Sequence, residues 1–556
     1  MNCNAFILDG YVDEPACLGV SPSVSPYIRT TAGVLAEHGY TTRYCTIDQL
    51  RKDPGYLPCM EESDLVLMVA GTTVPGKYLG GTPATLSEVE QVGNFLHHPL
   101  TLLAGPILFG YSPEGGKMAL TRAIGGFDSL LDGSPPEALD SFLNGGEPHG
   151  ELSYTESDRW SVLGAGIIAQ HPRFPHLICE LETARGCPRT LDGGCSFCTE
   201  RFYGPPHYRT VDGIGAEVEA LTRAGARHFR LGRQPDLLVY GSDNTGFPRP
   251  KIDRLERLFT AVRRAAPDLK TLHIDNVNPA TIARHEEASR EALSVIISHH
   301  TPGDVAAFGM ETADIRVVQA NNLKAVPEEV FRAVEIVNEA GGERREGIPE
   351  LLPGLNFVIG LAGETPDTFA QNRAFLEHVL KKGLLLRRIN IRKLMPFAGT
   401  PAYTNNTLGK HEKEFREFKE FVREKIDPPL LREVFPQGTV LKNVIIEECR
   451  GSLSFGRQLG SYPILAGIPV PLPIGHVTDV IVVDWGSRSV TALPSPIAIN
   501  ELSLQALAWI PGVGRAHAAL LMVQRPIRSL GEFRRIAGRT PLEAALSFRH
   551  PAAPSP

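Results

Sequence analysis

Three cysteines in one short segment carry the clearest chemical signal in the chain. In CPRTLDGGCSFC, seven residues separate Cys187 from Cys195 and two separate Cys195 from Cys198. The segment follows the apolar, strand-like run LICELETARG and is rich in glycine, so its backbone can wrap closely around a compact inorganic group. Three thiolates hold three irons of a four-iron cluster and leave the fourth open to a chelating substrate. Two other chemistries use the same residues. A structural zinc needs a fourth ligand, for which His207 is available. A redox disulfide between Cys195 and Cys198 leaves Cys187 without a role. The remaining cysteines, Cys3, Cys17, Cys45, Cys59, Cys179 and Cys449, are scattered and read as small buried hydrophobes.

The elements that must position this segment form an alternating series over residues 177–403. HFRLGR, KTLHIDNV, VAAFGMET, LNFVIGL and RRINIRKLM read as strands after the first one, with helices such as KIDRLERLFTAVRRAA between them. Six βα repeats predict a partial or complete α/β barrel, whose chemistry lies at the carboxyl ends of its strands. Residues 1–150 form an earlier alternating series and predict an open parallel sheet, a Rossmann-like domain. Its loops at Gly71, Thr72 and Thr73, and at Gly105 and Pro106, sit where such sheets bind ligands. Residues 151–176 read as a linker. Residues 404–435 form an amphipathic helical connector, with Phe415, Phe418, Val422 and Ile426 on one face. Residues 436–497 predict a small β-barrel, 498–550 a helical domain around IPGVGRAHA, and 551–556 a disordered tail.

Bulk properties narrow the classes further. The net charge of −7 over 556 residues offers no whole-chain attraction to nucleic acid. The start, MNCNAFILDGYVDEP, lacks the basic and apolar regions of a signal peptide, and no run approaches the ~18–20 apolar residues of a membrane span. With nine cysteines and no export signal, a disulfide framework is not expected, and the chain reads as cytoplasmic, without membrane partners.

The cysteine segment resembles the radical SAM superfamily, in which three cysteines follow the first barrel strand and an aromatic residue precedes the third. Phe197 occupies that place. The family's usual spacing has three residues between the first two cysteines, so this loop is enlarged. The resemblance implies a [4Fe–4S] cluster on Cys187, Cys195 and Cys198, and S-adenosyl-L-methionine on its open iron. GMETAD, with Glu311, is similar to the fourth-strand motif near the ribose. NFVIGLAGET, with Gly360, is similar to the fifth-strand motif near the adenine, and LMPFAGTPAY to the segment ending the sixth strand. The glycine-rich segment that meets the methionine amino group is poorly matched. FRLGRQPD stands there, with Arg230, Arg233 or Gln234 as candidates.

A Rossmann-like domain before such a barrel resembles the cobalamin-dependent branch of the superfamily. That resemblance implies methylcobalamin held by the loops at 71–73 and 105–106. No D-x-H-x-x-G string occurs in residues 1–150, and His38 lacks the preceding Asp, so no histidine axial ligand is expected. IPGVGRAHA resembles a helix-hairpin-helix motif, and the small barrel resembles a TRAM-type barrel. The whole arrangement implies a methyltransferase acting on an unactivated carbon of a macromolecule, protein in preference to RNA, with an electron donor as partner. The glutamine Cα of methyl-coenzyme M reductase is the specific substrate it suggests. Two alternatives stay open at this point: a tRNA-modifying methylthiotransferase with a second cluster, and a nucleic-acid-binding zinc protein without enzymatic activity.

Overall fold

The computed structural model describes residues 3–14, 17–71, 80–112, 116–242 and 246–549. Residues up to 150 build an open sheet from β1 (Cys3–Asp9), β2 (Tyr40–Thr46), β3 (Leu65–Val69), β4 (Leu100–Ala104), β5 (Ser129–Gly133) and β6 (His149–Gly150). Their spatial order is β2-β1-β3-β4-β5-β6, all parallel. The chain winds one way from β1 to β2 and the other way from β3 onward, which opens a crevice at the carboxyl ends of β1 and β3. The run LVLMV of β3 is buried throughout, the pattern of a parallel strand covered on both faces. Helix Leu86–Phe95 starts where Thr85 and Glu88 satisfy each other's free backbone amides.

The second unit has six strands: β7 (Ile178–Glu182), β8 (His228–Gly232), β9 (Thr271–Ile274), β10 (Asp304–Glu311), β11 (Leu351–Ile359) and β12 (Arg388–Lys393). β7 to β9 form one parallel run and β10 to β12 another, joined by the parallel bridge Asn276–Ala307. β7 and β12 do not pair with each other, so the barrel is partial. The outer edge of β7 is instead taken by Ser23–Val24, lent by the N-terminal region. Cys179, Leu181, Phe229, Leu231, Leu272 and Ile274 point into the apolar core. Alternation therefore turns Glu180, Glu182, Arg230 and His273 inward. The barrel interior is polar and charged, as a reaction chamber must be and a packed core is not.

Residues 151–176 do not link two separate bodies. They form helix Tyr154–Leu163 and the 3-10 turn Ala165–Gln170, packed on α1 (Pro26–Glu37). Trp160 is 1% exposed. A Cβ on Gly33 would overlap the Trp160 carbonyl, and one on Gly164 the Arg29 carbonyl, so glycine is needed where the helices cross. One apolar cluster runs from Ile7 and Leu65 through Trp160 to Leu181 and Phe229. The first two units share a core.

The connector over 404–435 holds helices Glu412–Phe421 and Asp427–Val434 with a π turn between them, and buries Phe418, Val422 and Ile426. Val440–Arg450, Leu453–Arg457, Leu465–Ile468, Val477–Trp485 and Ser489–Pro494 then close into a small barrel. Three short helices follow, at Leu504–Leu507, Gly514–Val523 and Leu530–Ala537, over a core of their own that includes Ile510, Leu521 and Phe533. The tail at 551–556 lies outside the described residues.

Candidate functional site

The cysteine loop leaves the carboxyl end of β7 and is tied at its base. Ala184–Arg185 pairs antiparallel with His207–Tyr208, and the Cys187 amide donates to the Gly204 carbonyl at 3.1 Å. The long spacer after Cys187 is wound into the 3-10 turn Pro188–Asp192. Gly193 and Gly194 then reverse the chain at φ 85° and 64°. The extra length is stored in that turn. His207 takes part in the ladder at the loop base. Among the described residues, no group of three His, Cys, Asp or Glu side chains is placed to hold a single metal ion.

The three sulfurs suit a polynuclear cluster. Each accepts a backbone N–H: Cys187 from Arg189, Cys198 from Glu200, and Cys195 from Lys324. The Arg189 guanidinium adds a donor to the Cys195 sulfur at 3.3 Å. Such bonds stabilise sulfur-borne negative charge and tune a cluster's potential. Burial pushes all three thiols up, Cys187 to about 11. Stable thiolates here call for the positive charge of bound iron.

The loop docks on the turn after helix Ile315–Ala320. Arg189 donates to the Asn322 carbonyl (2.8 Å) and Oδ1 (2.9 Å), and Asn322 Nδ2 donates to the carbonyls of Asp192 and Gly194. Asn322 sits at φ 48°, a conformation asparagine tolerates better than most side chains. Asn321 accepts from the Ser196 amide and hydroxyl, and the Ala402 amide donates to the Ser196 carbonyl. Arg189, Asn321, Asn322 and Lys324 were not foreseen. The signal available for them was Asn-Asn directly after a helix, where a left-handed residue ends the turn.

Most residues named from the motifs gather here. Phe197 and Cys195 pack on the apolar patch of Val317, Leu361, Leu394 and Ala402. Glu311 ends β10 at φ 65°, and its carboxyl, pushed up to about 7 by burial against the pull of Lys324 and Arg392, lies in electrostatic reach of Cys195. Gly360 follows β11 at φ 108°, where a Cβ would press on Leu408. Its amide and that of Leu361 donate to Glu364, at 2.8 and 3.1 Å. Burial raises Glu364 to about 7 despite those bonds.

Arg230 stands apart. It is buried, ion-paired to Glu180 at 2.7 Å and to Asp275, and hydrogen-bonded to Ser461, deep in the barrel. Of the three candidates, Arg230 in β8 and Arg233 and Gln234 just after it, Arg233 is ion-paired to Glu200 at the end of the cysteine loop, at 2.8 Å.

The N-terminal sheet turns its carboxyl edge toward this loop. Phe109, just after β4, lies 5.5 Å from the Phe202 ring and 5.6 Å from Tyr203, measured between centroids. Gly105 and Pro106 line a small gap with Tyr27 and Tyr203. Gly105 has φ 106°, and a Cβ there would come within 2.5 Å of the Ala70 carbonyl. Gly71 is the last described residue of its loop, and Thr72 and Thr73 lie outside the described residues. His38 caps α1 and is held by Asp140 at 2.8 Å.

Comparisons with known proteins agree with this geometry. Residues 181–376 match the model of the radical SAM superfamily, which sets the zinc-protein alternative aside. An uncharacterized protein of Archaeoglobus fulgidus is 43% identical over 97% of this chain and 98% of its own length. One from Methanocaldococcus jannaschii is 42% identical over 88% of this chain and 92% of its own. RimO of Myxococcus xanthus, a ribosomal-protein methylthiotransferase, is 25% identical over 42% of this chain and 44% of its own. Among solved structures, the radical S-adenosylmethionine methyltransferase TsrM of Kitasatospora setae, determined with cobalamin and a [4Fe–4S] cluster bound, superposes with a TM-score of 0.50. It is 13% identical, over 72% of this chain and 74% of that one, and shares the fold. This chain belongs to one family with the two archaeal proteins, and it is a radical SAM enzyme.

Proposed function

We propose that the chain is a cobalamin-dependent methyltransferase that methylates an unactivated carbon of a macromolecular substrate. The observation that carries the reading is the facing of two edges: the carboxyl end of the N-terminal sheet against the cysteine loop, with Phe109 on Phe202 and Tyr203. Gly105, Pro106 and Gly71 would hold the corrinoid, with no histidine on cobalt. Cys187, Cys195 and Cys198 would hold a [4Fe–4S] cluster, and Glu311, Gly360 and Phe197 would lie along S-adenosylmethionine. When bound, the cluster and S-adenosylmethionine supply hydrogen abstraction by one-electron chemistry, and the corrinoid supplies the methyl group.

The chain's own work is positional. Arg189 and the Lys324 amide hold the Cys195 sulfur. Glu364 clamps the Gly360–Leu361 backbone, fixing the wall after β11. The aromatic contact between Phe109, Phe202 and Tyr203 ties the two edges together. An electron donor completes the system. The glutamine of methyl-coenzyme M reductase is the substrate to try first.

A second reading, a methylthiotransferase, is favoured by the likeness to RimO and by the closed C-terminal barrel. It needs a second cluster. Cys45 and Cys59 are close enough to interact, and burial and Asp9 push Cys45 above the usual thiol range. Metal and corrinoid analysis of anaerobically purified protein separates the two. About four irons and one corrinoid per chain are expected; about eight irons without cobalt would overturn the methyltransferase reading.

A further inference from the structure

A cavity of about 840 Å³ opens on the unclosed side of the barrel, between β12, the Pro22–Ser23 turn and the small C-terminal barrel. Seven arginines line it against two aspartates, Asp275 and Asp427. Four of the arginines already have carboxylates. Arg230 is paired with Glu180 and Asp275, Arg488 with Asp427, Arg457 with Glu447, and Arg450 with Glu448.

The other three are Arg387, Arg388 and Arg392, and among the described residues their guanidinium groups form no ion pair. Arg387 lies over the Phe435 ring at 4.8 Å and Arg388 over Tyr462 at 3.8 Å. The Arg387 Nε is buried with no hydrogen-bond partner. Burial and the neighbouring Arg388 pull Arg387 down to about 10. Adjacent cations in a partly enclosed space, stacked on rings and with no carboxylate in ion-pair contact, are costly unless a counter-charge arrives; Asp275, already bound to Arg230, is the carboxylate that Arg388 senses. Arginine's planar fork suits an oxyanion.

One residue of the cavity also faces toward the cysteine loop. Arg392 is in electrostatic reach of Tyr462 in the cavity wall and of Glu311 beside Cys195. Tyr462 enters the barrel from the C-terminal domain, donating to Asp275 at 3.1 Å, while Ser461 donates to the Ile274 carbonyl at 3.0 Å. The C-terminal barrel thus forms one wall of the cavity on the open side of the radical SAM barrel.

We propose that this cavity is the substrate entrance and that Arg387, Arg388 and Arg392 bind an oxyanion, a phosphate or carboxylate, carried by the substrate. Naming the ligand a substrate rests on the methyl-transfer reading. The oxyanion site does not, and it is tested by binding alone.

The test uses the full-length, anaerobically reconstituted protein and titration calorimetry at low salt with pyrophosphate and, separately, citrate. One of the two should bind with a stoichiometry of about one. The double variant Arg387→Gln/Arg388→Gln should weaken it at least tenfold, with iron content as the check on folding. Arg392→Gln, at an exposed position where folding is not at stake, should weaken it as well. Preference for pyrophosphate points to a phosphate-bearing substrate and preference for citrate to a carboxylate-bearing one. Binding of neither anion, or unchanged binding in both variants, overturns the proposal. Cobalt-free protein that still binds the anion would separate a failure of the methyl-transfer reading from a failure of this site.

Discussion

The sulfurs of Cys187, Cys195 and Cys198 each receive a backbone N–H, while the Cys179 thiol, eight positions before Cys187, receives none of this and faces the apolar core. Strand alternation separates them: Cys179 lies in β7 on the side of Leu181, opposite Glu180 and Glu182. Cys198→Ala should therefore abolish S-adenosylmethionine cleavage and remove most of the iron, since two thiolates do not hold a cluster with one open iron. Cys179→Ala should keep the cluster and cost about 1 kcal/mol of stability from a small cavity. Iron content and 5′-deoxyadenosine yield measure both. Loss of iron in Cys179→Ala with retention in Cys187→Ala would invert the ligand assignment. At this scale the sequence was readable where chemistry is local. Cys187, Cys195 and Cys198 announce themselves by spacing, and Glu311 and Gly360 by strand-end motifs. Arg189 and Asn322 did not, because their meeting depends on a turn more than a hundred residues from the loop.

Elements here are joined by buried charge as well as by apolar packing. Glu217, on helix Val211–Arg223, is fully buried and accepts from Arg29 of α1 at 2.7 and 2.9 Å and from Arg209, which also pairs with Asp158. Burial alone would raise the Glu217 carboxyl, but Arg209 and Arg29 outweigh it and hold it below its usual value. A depressed carboxylate contributes stability above its unfolded pKa and loses it as pH falls through the folded value. The contribution is therefore intact at neutral pH and disappears only in acid below the ordinary carboxylate range. Glu217→Ala leaves two buried guanidinium groups without their shared partner and should destabilise by about 3–5 kcal/mol. Denaturant unfolding at pH 7 measures this, and a loss under 1 kcal/mol would refute the account. The strands of the N-terminal sheet were legible as apolar runs such as LVLMV, and those of the second unit as alternating segments such as ICELE and HFRLG. Residues 151–176 were misread because YTESDRWSVL is polar at most positions. What buries it is one Trp and two glycine crossings supplied by α1.

Across the whole molecule, the proposed radical chemistry belongs to the first two units, and the three cysteines proposed as cluster ligands all lie in the loop after β7. Residues 500–549 bring helices around Gly512 and Gly514, at φ 85° and 62°, and expose Trp509 and Val523. Deleting residues 500–556 should leave uncoupled S-adenosylmethionine cleavage largely intact and lower modification of the macromolecular substrate. A steep fall of substrate affinity with salt would mark a phosphate backbone as what this module binds, and a shallow one an apolar protein surface. A truncated enzyme with a full cluster that modifies limiting substrate at the full-length rate would remove the docking role. The small barrel is a different matter, since Ser461 and Tyr462 reach into the radical SAM barrel. The sequence showed that barrel as a separate module but not its insertion, because no local pattern reports which distant cavity a loop will enter.

The strand pair Ser23–Val24 with Ile178–Cys179 also bears on how the chain is made. As the polypeptide leaves the ribosome, β1 to β4 can assemble early, yet Ser23–Val24 waits for a partner about 150 residues behind it, on the order of 10–30 s at about 5–20 residues per second. During that interval a short edge and the apolar face of α1 stay uncovered. Translation speed through residues 150–180 thus becomes a determinant of yield, and a pause placed there would lengthen the exposure of a half-built molecule to aggregation.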